Sequence, residues 1–186
     1  MITELSKDAA VAPAATAPEA RAETPARLLQ LPDLAHFAAL ASRHLATCRH
    51  YNTRHAIVLL AVELPARPGN QAEGRRLPLL LDAVGARLRA RVRDSDQVVQ
   101  LNDMRFGVLL IDAAKADLDA VQARLHRALC GQYGIDGQLL HVLARLGAAI
   151  YPGGGSNGPE LVLSATQALE RSTLEQPWGG GGRSRR

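Results

Sequence analysis

Apolar positions recur at helical spacing over Leu34, Phe37, Ala38, Ala41, Leu45 and Cys48, with Asp33 in a capping position after Pro32, and this predicts a first helix. His55 to Glu63 is a continuous apolar run rich in β-branched residues and bounded by Pro65, Pro68 and Gly69, which predicts a strand buried on both faces. Leu77, Leu80, Leu81, Val84 and Leu88 form one face of a second helix whose other face carries Arg75, Arg87, Arg89 and Arg91. Two short apolar runs follow, Gln97 to Leu101 and Phe106 to Ile111, separated by polar residues, and they predict a β-hairpin. Leu118, Val121, Leu125 and Leu129 mark a third helix, and Leu139 to Tyr151 a long strand stopped by Pro152. After the glycine-rich stretch Gly153 to Gly158, a last helix opens at Pro159 and Glu160 and turns Leu161, Ala165, Ala168 and Leu169 inward. The order implies an α/β (α+β) fold, a βαββαβ palm-like arrangement whose central sheet contains antiparallel strands and is flanked by helices, with one more helix at each end.

Composition refines the boundaries. Ala, Pro, Thr and Glu dominate residues 1–27, which are expected to be a disordered leader, and residues 175–186 close in a Gly and Arg tail, leaving 28–174 as one domain. With 47% hydrophobic and 22% charged residues among 186, the chain has enough apolar surface for one core. Its apolar runs are too short to cross a bilayer, and two cysteines, Cys48 and Cys130, fit buried thiols in a reducing cytoplasm. The net charge of +4 is no nucleic-acid footprint, because Arg183, Arg185 and Arg186 supply three of the charges at one end and aromatics are only 3%.

Signatures of chemistry are sparse. The stretch Gly153 to Pro159 lacks the Lys and hydroxyl of a phosphate-binding loop, and no Gly-x-Ser-x-Gly elbow or pair of Cys-x-x-Cys motifs occurs. His44 and Cys48 lie one helical turn apart, but two ligands do not close a metal site.

The stretch from Arg93 to Ile111 carries the most information. A helix end of the form R-x-S-D leads into a strand, then a turn reading Asn102, Asp103, Met104, Arg105, Phe106, then an apolar strand. This resembles the hairpin of the GGDEF family, the diguanylate cyclases, with only the Phe of Gly-Gly-Asp-Glu-Phe retained. Leu31-Pro32-Asp33 with Phe37 is similar to the family's L-P-N-R-x-x-F, and Arg145 to Pro152 to its S-I-G-I-A-x-Y-P strand. Ala165, Ala168 and Leu169 resemble its final A-D-x-A-L-Y helix, so the similarity runs over roughly residues 26–173, in the right order.

The resemblance implies a nucleotidyl cyclase-like fold. In the working enzymes two facing domains join two GTP molecules into cyclic di-GMP, each 3′-hydroxyl attacking the other's α-phosphate, with magnesium held by an Asp at the end of the first strand and the Glu of the turn. The matching positions here are Ala61 and Arg105, a methyl and a cation, and Glu63 is the nearby carboxylate. Asn102 and Asp103 replace the paired glycines, and Leu64, Pro65, Ala66, Arg67, Pro68 and Gly69 replace the polar run that holds the nucleotide.

One further motif is implied by the family: an R-x-x-D five residues before the turn that binds cyclic di-GMP, the Arg as a fork and the Asp as an acceptor for guanine N–H groups. Arg93 and Asp96 stand at that spacing, and Arg91 with Asp94 repeats the pattern just before. The plainer reading makes Asp96 a helix terminator and Arg93 half of a surface ion pair.

These residues set the expectations. The chain is expected to be a degenerate GGDEF-like domain, no enzyme, without catalytic residues, metal or cofactor, acting in the cytoplasm through protein–protein contacts in cyclic di-GMP-related signalling. The alternatives are a cyclic di-GMP receptor using Arg93 and Asp96, a residual diguanylate cyclase, and a palm domain of another family. A protein partner is expected, with a homodimer left open and neither membrane nor nucleic acid engaged. The former active-site face, with Met104, Arg105 and Leu64 to Pro68, is the expected contact surface, the alternative being drift, in which a face released from catalysis accumulates tolerated residues.

Overall fold

The computed structural model describes residues 28–51, 53–65, 73–101, 104–113 and 115–175. The expected leader, the tail beyond Glu175 and the turn residues Asn102 and Asp103 lie outside them, as do Ala66 to Gly69 and the side chain of Cys48. Ten elements follow in order: β1 (Leu29–Gln30), α1 (Leu34–Tyr51), β2 (Ala56–Glu63), α2 (Glu73–Arg89), β3 (Gln97–Leu101), β4 (Arg105–Leu110), α3 (Lys115–Leu129), β5 (Gly131–Ile135), β6 (Gln138–Ile150) and α4 (Gly158–Glu175). They form the expected α+β palm, a six-stranded sheet in the order β1-β3-β4-β2-β6-β5 flanked by helices.

Every helix and every strand expected from periodicity is present, and two strands are added. β1 is only two residues long and exists through its parallel pairing with β3, Leu29 beside Val99 and Gln30 beside Gln100. β5 forms an antiparallel hairpin with β6 around Asp136 and Gly137, both at positive φ (47° and 73°). Such a pair of left-handed residues is what an Asp-Gly turn supplies most readily.

β2 is paired on both sides, antiparallel to β4 and to β6, and its alternate residues feed two cores. Val58, Leu60 and Val62 meet Leu80, Val84 and Leu88 of α2, Leu125 and Leu129 of α3, and Phe106 of β4. Ile57 and Leu59 meet Phe37, Ala41 and Leu45 of α1 and Leu161, Ala165 and Leu169 of α4. Each fully buried Leu or Phe in these layers is worth roughly 1.5–3 kcal/mol of apolar transfer. Tyr133 of β5 is tied to the helices as well: its hydroxyl donates to the Leu129 carbonyl at 2.9 Å and the Arg87 guanidinium lies 3.8 Å over its ring. Burial pushes the Tyr133 phenol above its ordinary pKa, with Arg87 opposing.

Local signals close the helices. Asp33 caps α1, its Oδ1 accepting the His36 backbone N–H at 2.9 Å. At α4 the Asn157 side chain accepts the Glu160 N–H at 2.9 Å, while Glu160 reaches back to the Ser156 N–H at 2.7 Å, a reciprocal cap. Close packing of the helices on the sheet needs glycine at positions that include Gly107 and Gly147. Phe37 lies on Gly107 of β4, where a Cβ would come within 2.8 Å of its ring. A Cβ at Gly147 of β6 would collide with the backbone of Leu169 and Ala165, which brings α4 directly onto the sheet.

Gly147→Ala is therefore expected to destabilise the domain by about 1–3 kcal/mol or more, because backbone rather than a movable side chain blocks the new methyl. Gly153→Ala, whose methyl would meet the Ile150 carbonyl oxygen only at 4.0 Å, should leave the denaturant midpoint nearly unchanged, and equal midpoints for the two variants would refute the packing account. The donors around Glu160, first the Ser156 N–H, hold its carboxyl below the ordinary range. A depressed folded-state pKa gives stability that is present above the unfolded value and lost as pH falls through the folded one. Glu160→Gln should lower the melting temperature at neutral pH, with the difference from the unsubstituted chain shrinking as pH falls through the depressed folded-state pKa.

Candidate functional site: a guanidinium-rich strand end and an arginine cleft

Two regions hold the residues singled out from sequence, and they lie at opposite ends of β4. At its start, the register places Ala61 of β2 directly between Arg105 of β4 and Arg145 of β6. Neighbouring strands are about 4.7–4.9 Å apart, so one methyl is flanked on either side by an arginine. A pocket of about 130 Å³ is lined here by Leu34, Ala61, Arg105, Arg145, Thr166 and Glu170. Glu63 is ion-paired with Arg145 and is thus already committed to a cation. Met104 closes the turn at φ 59°, its carbonyl accepting the Val62 N–H at 2.9 Å.

A divalent cation does not fit these residues. Ala61 has no ligand atom, Arg105 brings positive charge, and Glu63 is taken by Arg145. Among the described residues no three of His, Cys, Asp or Glu come together as a metal site, and His44 acquires no such company. Burial, then the charges of His55 and Arg43, lower the pKa of His44. Phe106, the retained residue of the turn motif, is fully buried in the α2/α3 core, which explains its presence through packing.

The far end of β4 carries the second region. After α2 the chain turns through Arg93, Asp94, Ser95 and Asp96 into β3. Asp96 is 6% exposed, and its two carboxylate oxygens accept backbone N–H groups from opposite directions, Arg93 at 2.9 Å and Ile111 at 3.0 Å. It stitches the turn to the end of β4. Arg93 itself is exposed. Its side chain lines a cleft of about 410 Å³ with Arg91, Asp96, Asp112, Asp117 and Arg124. Asp112 stands at φ 52°, a left-handed position costly for a residue with a Cβ.

Sequence spacing thus found Arg93 and Asp96 but not their division of labour. The carboxylate is spent on the turn rather than on a helix end, since α2 stops at Arg89, and the surface ion pair of this turn joins Arg89 with Asp94 while Arg93 lines the cleft. Arg124, Asp112 and Asp117 had no motif to announce them, since α3 and the end of β4 meet this turn only in the folded chain.

The family described as the diguanylate cyclase, GGDEF domain matches residues 78–176, and the chain belongs to that family. Over 102 residues, 54% of the chain, it is 36% identical to the bifunctional diguanylate cyclase/cyclic di-GMP phosphodiesterase MucR of Pseudomonas aeruginosa, and it spans only 15% of that relative's length. The GGDEF domain of YfiN from Pseudomonas aeruginosa superposes with a TM-score of 0.67 at 22% identity, covering 78% of this chain and 92% of that one. The coiled coil and GGDEF domain of DgcB from Caulobacter crescentus, in complex with c-di-GMP, does so at 0.65 and 12% identity, covering 80% and 78%. SiaD from Pseudomonas aeruginosa, a diguanylate cyclase in complex with its activator SiaC, gives 0.64 at 15% identity over 78% and 56%.

These findings correct one expectation. The reading of the chain as no enzyme rested on Ala61 and Arg105, and it is overturned by membership of the diguanylate cyclase family and by a relative that carries cyclase in its name. Two substituted positions describe a departure within an enzyme family and do not place the chain outside it. The domain belongs to cyclic di-GMP metabolism and signalling. None of its described helices is long and apolar enough to cross a membrane.

The role of Asp96 is directly measurable. Asp96→Ala leaves two part-buried backbone donors without their acceptor, so a loss of about 1–3 kcal/mol is expected from denaturant unfolding. Arg93→Ala, an exposed side chain, should cost under about 0.5 kcal/mol. Equal small losses in both would remove Asp96 from its place as the stitch of the turn.

Proposed function

We propose that this GGDEF domain is a cyclic di-GMP-responsive signalling module of the cytoplasm, which takes the dinucleotide in the cleft between the end of α2, the end of β4 and α3, and acts through protein contacts. The observation that carries the reading is the convergence of Arg91, Arg93 and Arg124 on one cleft of about 410 Å³. That volume lies within the roughly 300–1,000 Å³ of small-molecule sites. Cyclic di-GMP has two phosphates and two guanines. A guanidinium fork suits both the phosphate oxygens and the O6/N7 edge of guanine, whereas Asp112 and Asp117, exposed on the same cleft, suit the guanine N–H donors. A structural neighbour in complex with c-di-GMP supports the ligand, and another in complex with an activator protein supports action through a partner.

Titration of the full chain with cyclic di-GMP in a calorimeter should give saturable heat. Arg93→Ala and Arg124→Ala should each weaken binding tenfold or more, since a hydrogen bond to a charged group is worth about 1.5–3 kcal/mol. Arg105→Ala, at the other end of β4, should not. Absence of saturable heat with the unsubstituted chain would overturn the ligand. Partner capture run with and without cyclic di-GMP tests the output: a protein whose retention depends on the ligand and on Arg93 supports the module, and retention indifferent to both counts against it.

A further inference from the structure

Arg89, the last residue of α2, does not line the cleft, yet more contacts to the Arg93–Asp96 turn come from it than from any other described side chain. One guanidinium nitrogen donates to the carbonyls of Arg93 at 3.1 Å and Asp96 at 2.7 Å. The other donates to the Asp94 carbonyl at 3.3 Å and approaches the Asp94 carboxylate at 3.4 Å. Asp94 is fully exposed, so this last contact is a weak surface pair, and the three carbonyls are what the guanidinium gathers.

These carbonyls come from a turn that has left the helix, in which the Arg93 carbonyl also accepts the Asp96 N–H at 3.1 Å. On the opposite side, Asp96 ties the Arg93 N–H to that of Ile111, just after β4. Arg93 is therefore held at both of its backbone polar groups, its N–H by Asp96 and its C=O by Arg89, with only its side chain left to point into the cleft. Preorganising the turn that carries a binding residue lowers the entropy lost when the ligand orders it.

We propose that Arg89 is the positioning residue of the cyclic di-GMP cleft: it never touches the ligand, but by collecting the carbonyls of the turn it sets the direction in which Arg93 presents its fork. The inference rests on the cyclic di-GMP reading above and adds to it a residue outside the site. It also accounts for the side-chain type, since a planar guanidinium with five fixed donors can span carbonyls on both sides, whereas a lysine ammonium is a single point.

The test is a double-mutant cycle on the full chain, with cyclic di-GMP titrated against the unsubstituted protein, Arg89→Ala, Arg93→Ala and the double variant, each melted in parallel. Arg89→Ala should weaken binding about tenfold or more, and the double variant should bind no more weakly than Arg93→Ala alone, because Arg89 acts only through Arg93. A merely structural residue would lower the melting temperature and weaken both backgrounds by the same factor. Arg76→Ala, which removes a 2.8 Å bond to Gln138 at the other end of α2, serves as the control and should leave affinity unchanged. If Arg89→Ala does not fold, the same cycle with Arg89→Lys decides, and it should show a partial loss that Arg93→Ala again masks. Unsubstituted protein that binds while Arg89→Ala binds equally well, or losses that add in full, overturns the positioning role alone. Unsubstituted protein that does not bind overturns the cyclic di-GMP reading and this inference together.

Discussion

The structure depends on β2 being paired along both edges and buried on both faces. A strand in that position has no freedom of register, because a slip of one residue would exchange the two sets of side chains that feed the α2/α3 core and the α1/α4 core. Val58 and Leu60 on one side and Ile57 and Leu59 on the other are each nearly inaccessible, so either exchange would disturb both layers at once. Everything functional is referred to this strand. Its pairing places Ala61 between Arg105 and Arg145, and the pairing of Ala56 with Leu110 brings the far end of β4 level with the cleft.

At the start of β4, the chemistry is a change of sign. The family's metal chemistry, as the resemblance implies it, calls for two carboxylates facing one cation, and the same register here holds a methyl between two guanidiniums, with Glu63 already paired to one of them. Phe106 and the strands around it are held in place by packing. Gly107 retains its lack of a side chain because Phe37 lies upon it, and Gly147 because α4 does. The fold is thereby insulated from substitutions at the strand ends.

The far end of β4 shows the opposite economy, in which a short turn has no core of its own and is held by polar atoms alone. Asp96 satisfies two backbone donors, and Arg89 reaches past the end of α2 to donate to carbonyls of the turn. Such a turn is a suitable carrier for a ligand-reading arginine, since its backbone is fixed while its side chain is free.

Much of this was legible in the sequence. Helical and strand periods located all four helices and four of the six strands, because burial against a sheet imposes a repeat that local residues must obey. The R-x-x-D spacing located the turn, and the Asp136-Gly137 pair carried a hairpin signal that would have revealed β5, had the run Gly131–Ile135 been longer and less interrupted by glycine. Only tertiary structure decided the rest. β1 is two residues whose strand character comes from its partner. The fate of Asp96 as a stitch, the arrival of Arg124 at the cleft from α3 and the flanking of Ala61 by two arginines are all relations between segments distant in the chain. A sequence records which side chains are available and the period with which they recur, and the contact between two such segments is set by how their buried faces pack.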